Sequence, residues 1–74
     1  MSNLESRALF VQILMEKVRQ DRHPSATHMA ILEQTLPAQW IPDYLEILLE
    51  KVADDPNPSI PMLHRISRLV DAAR

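Results

Sequence analysis

The chain has 74 residues, no cysteine and no glycine, and its formal net charge is −2 at pH 7. Without cysteine it has neither a disulfide nor a thiolate metal site, and without glycine it lacks the loops that cradle phosphates in nucleotide-binding proteins. A slightly acidic chain has no overall positive field to attract nucleic acid or an acidic lipid surface. Because sharp turns between strands also depend on glycine, an all-α fold is favoured.

The sequence contains an internal repeat. Residues 11–25 match residues 45–59 at an offset of 34, with identical residues at eight of the fifteen positions. A repeat of this length is typical of a supersecondary unit that is used more than once. We therefore predict four short helices that form two tandem homologous helical hairpins. The prediction is one helical domain over residues 1–74, with a first repeat unit at about 4–36, a joint at 37–42 and a second unit at about 42–72.

The first unit opens with a capping box, in which Ser2 caps the helix and Glu5 bonds back to the cap. Apolar residues then recur at helical spacing and predict a first helix that ends at about Gln20. Ser25 is expected to cap a second helix that ends at Pro37. The residues predicted to face inward are Leu4, Ala8, Val11, Met15, Val18, Met29, Leu32 and Leu36.

The second unit repeats this order. A third helix is predicted from about Pro42 to Ala53, since proline is tolerated at the start of a helix. Ser59 is expected to cap a fourth helix. The residues predicted to face inward are Ile41, Leu45, Leu48, Leu49, Val52, Leu63, Ile66 and Val70.

The motif Asp-x-x-Pro-Ser occurs in both units, at residues 21–25 and 55–59. One interpretation makes the repeated aspartates and serines a binding or catalytic pair. In the other, the aspartate ends one helix, the proline breaks it and the serine caps the next helix. The second interpretation gives every residue a local role, and we therefore predict Ser2, Ser25 and Ser59 to be structural caps.

The sequence does not predict an enzyme or a metal site. His23, His28 and His64 are the only obvious metal ligands, and none belongs to a His-Glu-x-x-His pair on one helix face. Serine catalysis needs a base, an orienting acid and an oxyanion site around a free hydroxyl, whereas the repeated serines are expected to be caps. We expect no catalytic residue, no metal and no cofactor.

The composition of the fourth helix suggests a nucleic-acid interface as an alternative function. Arg65 and Arg68 make this helix basic within an acidic protein, and a short helix after a turn resembles the arrangement of DNA-binding helices. The other interpretation is that the same arginines pair with the acidic third helix or lie at the favourable C-terminal side of a helix dipole. A small DNA-binding regulator is therefore retained as a second function, and nucleic acid is the less favoured partner.

Several large apolar residues lie beside those predicted to face inward. This excess of apolar residues is the feature that most favours a binding function. Aromatic-x-x-Ile-x-x-x-Lys occurs twice, in Phe10–Lys17 and Tyr44–Lys51. The aromatic residue and the isoleucine of this motif lie on a second side of each helix. The two hairpins would either pack against each other through this side or leave it open to a partner. Trp40, at the joint, is expected to be either a buried wedge or an interface anchor. The predicted protein interface is Leu9, Phe10, Ile13, Trp40, Tyr44 and Ile47.

The function predicted from the sequence is a small non-enzymatic interaction module that docks on a protein partner or on a second copy of itself. A phage virion accessory or capsid-binding protein is one form of such a subunit, and an inhibitor that masks a partner's surface is another. No secretory signal or membrane span is evident. We expect a soluble protein of the bacterial cytoplasm or of a virion, with no contact to a membrane.

Overall fold

The structure, a computed structural model, describes residues 2–72. Within this range it contains four α-helices, one short 3-10 helix and no strand, which confirms the all-α prediction. The chain divides into two units, the first ending at Pro37 and the second beginning at Ala38. The elements are α1 (Asn3–Gln20), α2 (Ala26–Thr35), the 3-10 helix (Ala38–Trp40), α3 (Ile41–Asp54) and α4 (Ile60–Ala72).

In the first unit, α1 is stabilised at both ends. The Glu5 N–H donates to the Ser2 hydroxyl at 3.1 Å, and the Ser2 N–H donates to the Glu5 carboxylate at 3.4 Å. These two bonds form the capping box and satisfy N–H groups that have no partner within the helix. At the other end, the N–H of Asp21 donates to the carbonyl of Lys17 at 3.1 Å. Lys17 also places a positive charge in the last turn, where the helix dipole favours it.

The second helix of this unit, α2, begins at Ser25, whose hydroxyl accepts from the His28 N–H at 3.3 Å. It contacts α1. One hydrogen bond, from Arg7 Nε to the Thr35 carbonyl at 3.4 Å, joins the beginning of α1 to the end of α2. The buried core residues that these two helices supply are Val11, Leu14, Val18, Met29 and Leu32.

In the second unit, the 3-10 helix leads directly into α3, with Pro42 in the first turn. After α3, the Asn57 N–H donates to the Asp55 carboxylate at 2.9 Å, which forms an Asx turn. The hydroxyl of Ser59 accepts from the Met62 N–H at 3.2 Å and caps α4. Pro61 lies in the first turn of α4, where its missing N–H removes no helical bond.

The cores of both units differ from the predicted ones. In the first unit, Leu4, predicted to face inward, is 82% exposed. The side of α3 that is buried carries Tyr44, Ile47 and Leu48, whereas Leu49, predicted to face inward, is exposed. On α4, which contacts α3, Ile66 is buried, and Leu63 and Val70 are exposed. The reason is that the apolar residues of α3 cover more than half of its circumference, so their spacing does not define which part faces the core. These residues are Ile41, Tyr44, Leu45, Ile47, Leu48, Leu49 and Val52.

Candidate functional site

Three large apolar side chains lie together on the outer side of α1. Leu9, Phe10 and Ile13 are 44%, 44% and 46% exposed. Leu9 and Ile13 are four residues apart and Phe10 and Ile13 three apart, so all three are neighbours on the helix surface. We call this set the α1 face. The residues that α1 directs into the core are Val11, Leu14 and Val18.

The structure separates the predicted interface residues into two groups. The α1 face is open to solvent, whereas Tyr44 is fully buried and Ile47 is 4% exposed. Trp40, in the 3-10 helix, is half-buried. Of the predicted apolar edge, the three residues on α1 are therefore exposed, Trp40 is exposed in part, and Tyr44 and Ile47 are not exposed. Tyr44 and Ile47 belong to the core because α3 turns that side inward.

A second exposed apolar surface, on α4, was not predicted from the sequence. Ile60, Leu63 and Val70 are exposed, and helical spacing places them on one side of α4 together with Ser67. We call Ile60, Leu63 and Val70 the α4 face. The sequence contained one indication of the α4 face. Ile60 adds an apolar residue to α4 beside Leu63, Ile66 and Val70, which were expected to face inward.

The residues that could support catalysis or bind a metal are dispersed. Ser25 and Ser59 accept backbone hydrogen bonds as helix caps, and the three histidines are exposed. Among residues 2–72, no three His, Asp or Glu side chains lie close enough to hold a metal ion. Every helix in the same range is too short or too polar to cross a bilayer.

The basic residues of α4 form a small surface. His64, Arg65 and Arg68, with Ile60, Pro61 and Ser67, line a shallow open depression. Arg68 and His64 are exposed, and Arg65 is half-buried. The exposed basic side chains of α4 are therefore two, and they lie within about one turn of the helix. This surface offers few contacts to the phosphates of a nucleic acid.

Comparison with protein-family models, with curated proteins and with solved structures finds no match to this chain. The exposed surfaces are therefore the observations from which a function can be inferred. Among them, the α1 face combines an aromatic and two aliphatic side chains within five consecutive residues.

Proposed function

We propose that this chain is a non-enzymatic protein-interaction module, an adaptor or assembly subunit that docks through the α1 face. The observation that supports the proposal is the exposure of Leu9, Phe10 and Ile13 side by side on one helix. Apolar surface in water costs about 25 cal/mol per Å², and a partner that covers the face recovers this free energy. Phenylalanine is also among the residues enriched at protein interfaces.

The proposal includes an architecture of two homologous helical hairpins. Gln20 and Asp54 end α1 and α3, and Ala26 and Ile60 begin α2 and α4. Both pairs are 34 residues apart, which is the offset of the sequence repeat. In each unit the two helices are in contact, as the helices of a hairpin should be.

Two repeats explain why an apolar face would remain open. Helical repeats bury their apolar sides against neighbouring units, and about three are needed for a stable stack. A protein with two such units leaves apolar surface uncovered, and a partner or a further copy can bury this surface. A phage virion accessory protein, a bacterial adaptor and an inhibitor that masks a partner's surface would each use such a face.

A pair of variants on α1 tests the proposal. Ile13→Asp places a charge in the centre of the α1 face, where a bound partner would have to desolvate it. The matched control is Leu4→Asp, since Leu4 is also a large apolar residue of α1 but is 82% exposed and lies on the opposite side of the helix. Both variants should keep the circular dichroism spectrum of the wild type, because both sites are open to solvent.

Association is then measured as mass in solution by light scattering and as retention of a binding protein in a pull-down from native lysate. The proposal predicts that Ile13→Asp abolishes association and Leu4→Asp preserves it. Unchanged association of a folded Ile13→Asp variant contradicts the proposal.

A further inference from the structure

The first two turns of α1 contribute no buried side chain to the first unit. Among residues 3–10, which we call the α1 arm, Ala8 is half-buried and the other side chains are exposed. The buried residues of α1 begin at Val11. In the second unit, the residue at the repeat position of Phe10 is Tyr44, which is the fourth residue of α3 and is fully buried. The beginning of α3 is therefore anchored in the core of its unit, whereas the beginning of α1 is not.

A hydrogen bond between the two helices connects the α1 arm to the rest of the unit. Arg7 Nε donates to the carbonyl of Thr35 at 3.4 Å. Thr35 is the last residue of α2, so its carbonyl has no partner within that helix. The last turn of α2 contains no basic residue, and Arg7 supplies the positive charge that the helix dipole favours there. The capping box of Ser2 and Glu5 stabilises the arm as a helix but does not connect it to α2.

The second unit has apolar residues at the two positions that this bond joins. At the offset of 34, Arg7 corresponds to Ile41 and Thr35 to Leu69. Ile41 and Leu69 are both half-buried, whereas Arg7 is exposed. A hydrogen bond from an exposed guanidinium contributes little net stability, because water competes for both of its groups. The first unit is therefore closed at this end by a contact that opens readily.

We infer that the α1 arm opens separately from the core of the first unit, and that Arg7 is the clasp that holds it closed. Local opening is expected where a segment buries few apolar side chains. Leu9 and Phe10 lie on the arm and Ile13 lies beyond it, so the three are neighbours only while the arm is helical. Opening therefore takes the docking surface apart. This consequence rests on the proposed function, whereas the arm itself does not.

Native-state hydrogen exchange of the monomeric chain, followed by nuclear magnetic resonance at increasing urea concentration, tests the arm. The amides of Ala8, Leu9 and Phe10 should exchange with little dependence on urea, because opening the arm exposes little surface. The amides of Leu14 and Val18 should exchange more slowly and accelerate with urea, because their exchange requires the unit to unfold. The same rates and the same urea dependence in both groups would overturn the inference.

Arg7→Ala tests the clasp. It should raise the exchange rates of the arm amides by roughly two- to five-fold, the effect of losing one exposed hydrogen bond. Fraying that leaves this bond intact would not respond, because alanine is at least as good a helix former as arginine. Arg19→Ala is the matched control, since Arg19 is an exposed arginine of α1 whose ion pair with Glu16, at 3.6 Å, lies beyond the arm. This control should leave the arm rates unchanged.

A double variant, Arg7→Ile with Thr35→Leu, places the residues of the second unit at both positions. It should return the arm rates to the wild-type values or below. Circular dichroism verifies that each variant keeps its helices.

Three results would contradict the role of Arg7: arm rates in Arg7→Ala equal to those of the wild type, an equal increase in Arg19→Ala, or no recovery in the double variant. These rates are measured without a partner. A failure of the proposed function, seen as unchanged association of Ile13→Asp, would therefore leave the arm standing, and a failure of the arm would leave the proposed function standing.

Discussion

Phe10 and Tyr44 lie 34 residues apart, each ten residues before the last residue of its helix, yet Phe10 is 44% exposed and Tyr44 is fully buried. The same contrast holds one turn later, between Ile13 and Ile47. An aromatic residue and an isoleucine at the same spacing therefore have two roles, one in the core and one on the surface. This difference supplies internal controls, because the same substitution can be made at an open and at a closed position.

The first prediction concerns the free energy of unfolding of two matched variants. Ile47→Val should lower it by about 1 kcal/mol, because removal of a buried methylene costs transfer free energy and leaves a small cavity. Ile13→Val should change it by less than about 0.5 kcal/mol, since the site is half exposed. Urea unfolding followed by circular dichroism of monomeric protein checks both values. Equal losses at the two positions would show that Ile13 belongs to the core.

The second prediction concerns the cap of α4. Ser59→Ala should lower the free energy of unfolding by about 1 kcal/mol, because the Met62 N–H loses its acceptor. Ser59→Gly should cost only a few tenths of a kcal/mol, about the difference between serine and glycine as caps. Ser67→Ala, an exposed serine within α4, is the control and should be neutral or slightly stabilising. A loss at Ser67 as large as that at Ser59 would show that the hydroxyl acts in some way other than capping.

The third prediction separates the interaction module from a DNA-binding regulator. We expect no retardation of short duplex DNA in a gel shift at about 50 mM salt, where contacts to phosphates are strong. The reasons are the net charge of −2 and the partial burial of Arg65. Retardation that falls steeply with added salt, and that Arg68→Ala weakens, would favour the regulator instead.

Helix ends were predictable because they depend on local chemistry. Ser2, Ser25 and Ser59 each precede a helix, and each accepts a hydrogen bond from a backbone N–H in its first turn. Helix α1 ends at Gln20, where the Asp-x-x-Pro-Ser motif begins. These signals require only residues within three or four positions of one another, so the sequence contains them completely.

The buried sides of α3 and α4 were not predictable from the same information. Apolar residues surround more than half of α3, and periodicity alone is compatible with a core built on Leu45 and Leu49 or on Tyr44 and Ile47. The choice depends on how α3 packs against α4, which is a tertiary property. For the same reason, the sequence placed Leu63, Ile66 and Val70 inward, whereas of these three Ile66 alone is buried.

The α1 face was predicted in part. The spacing of Leu9 and Ile13 alone separates them from the residues of α1 that were predicted to face inward, and both are exposed. Their equivalence to α3 through the repeat suggested that Tyr44 and Ile47 would be exposed as well, and the structure places both in the core. Helices that share a sequence pattern therefore need not bury all the same positions, although Leu14 and Leu48 are both buried.

The most direct test of the docking surface follows the isoleucine methyl groups by nuclear magnetic resonance. In dilute protein, a soluble paramagnetic agent should broaden the Ile13 methyl signal strongly and the Ile47 signal weakly. As the protein is concentrated, or a captured partner is added, the Ile13 methyl should shift and become protected while the Ile47 methyl stays unchanged. Equal protection of both methyls in dilute monomer, or an Ile13 signal that no concentration or partner alters, would contradict the account.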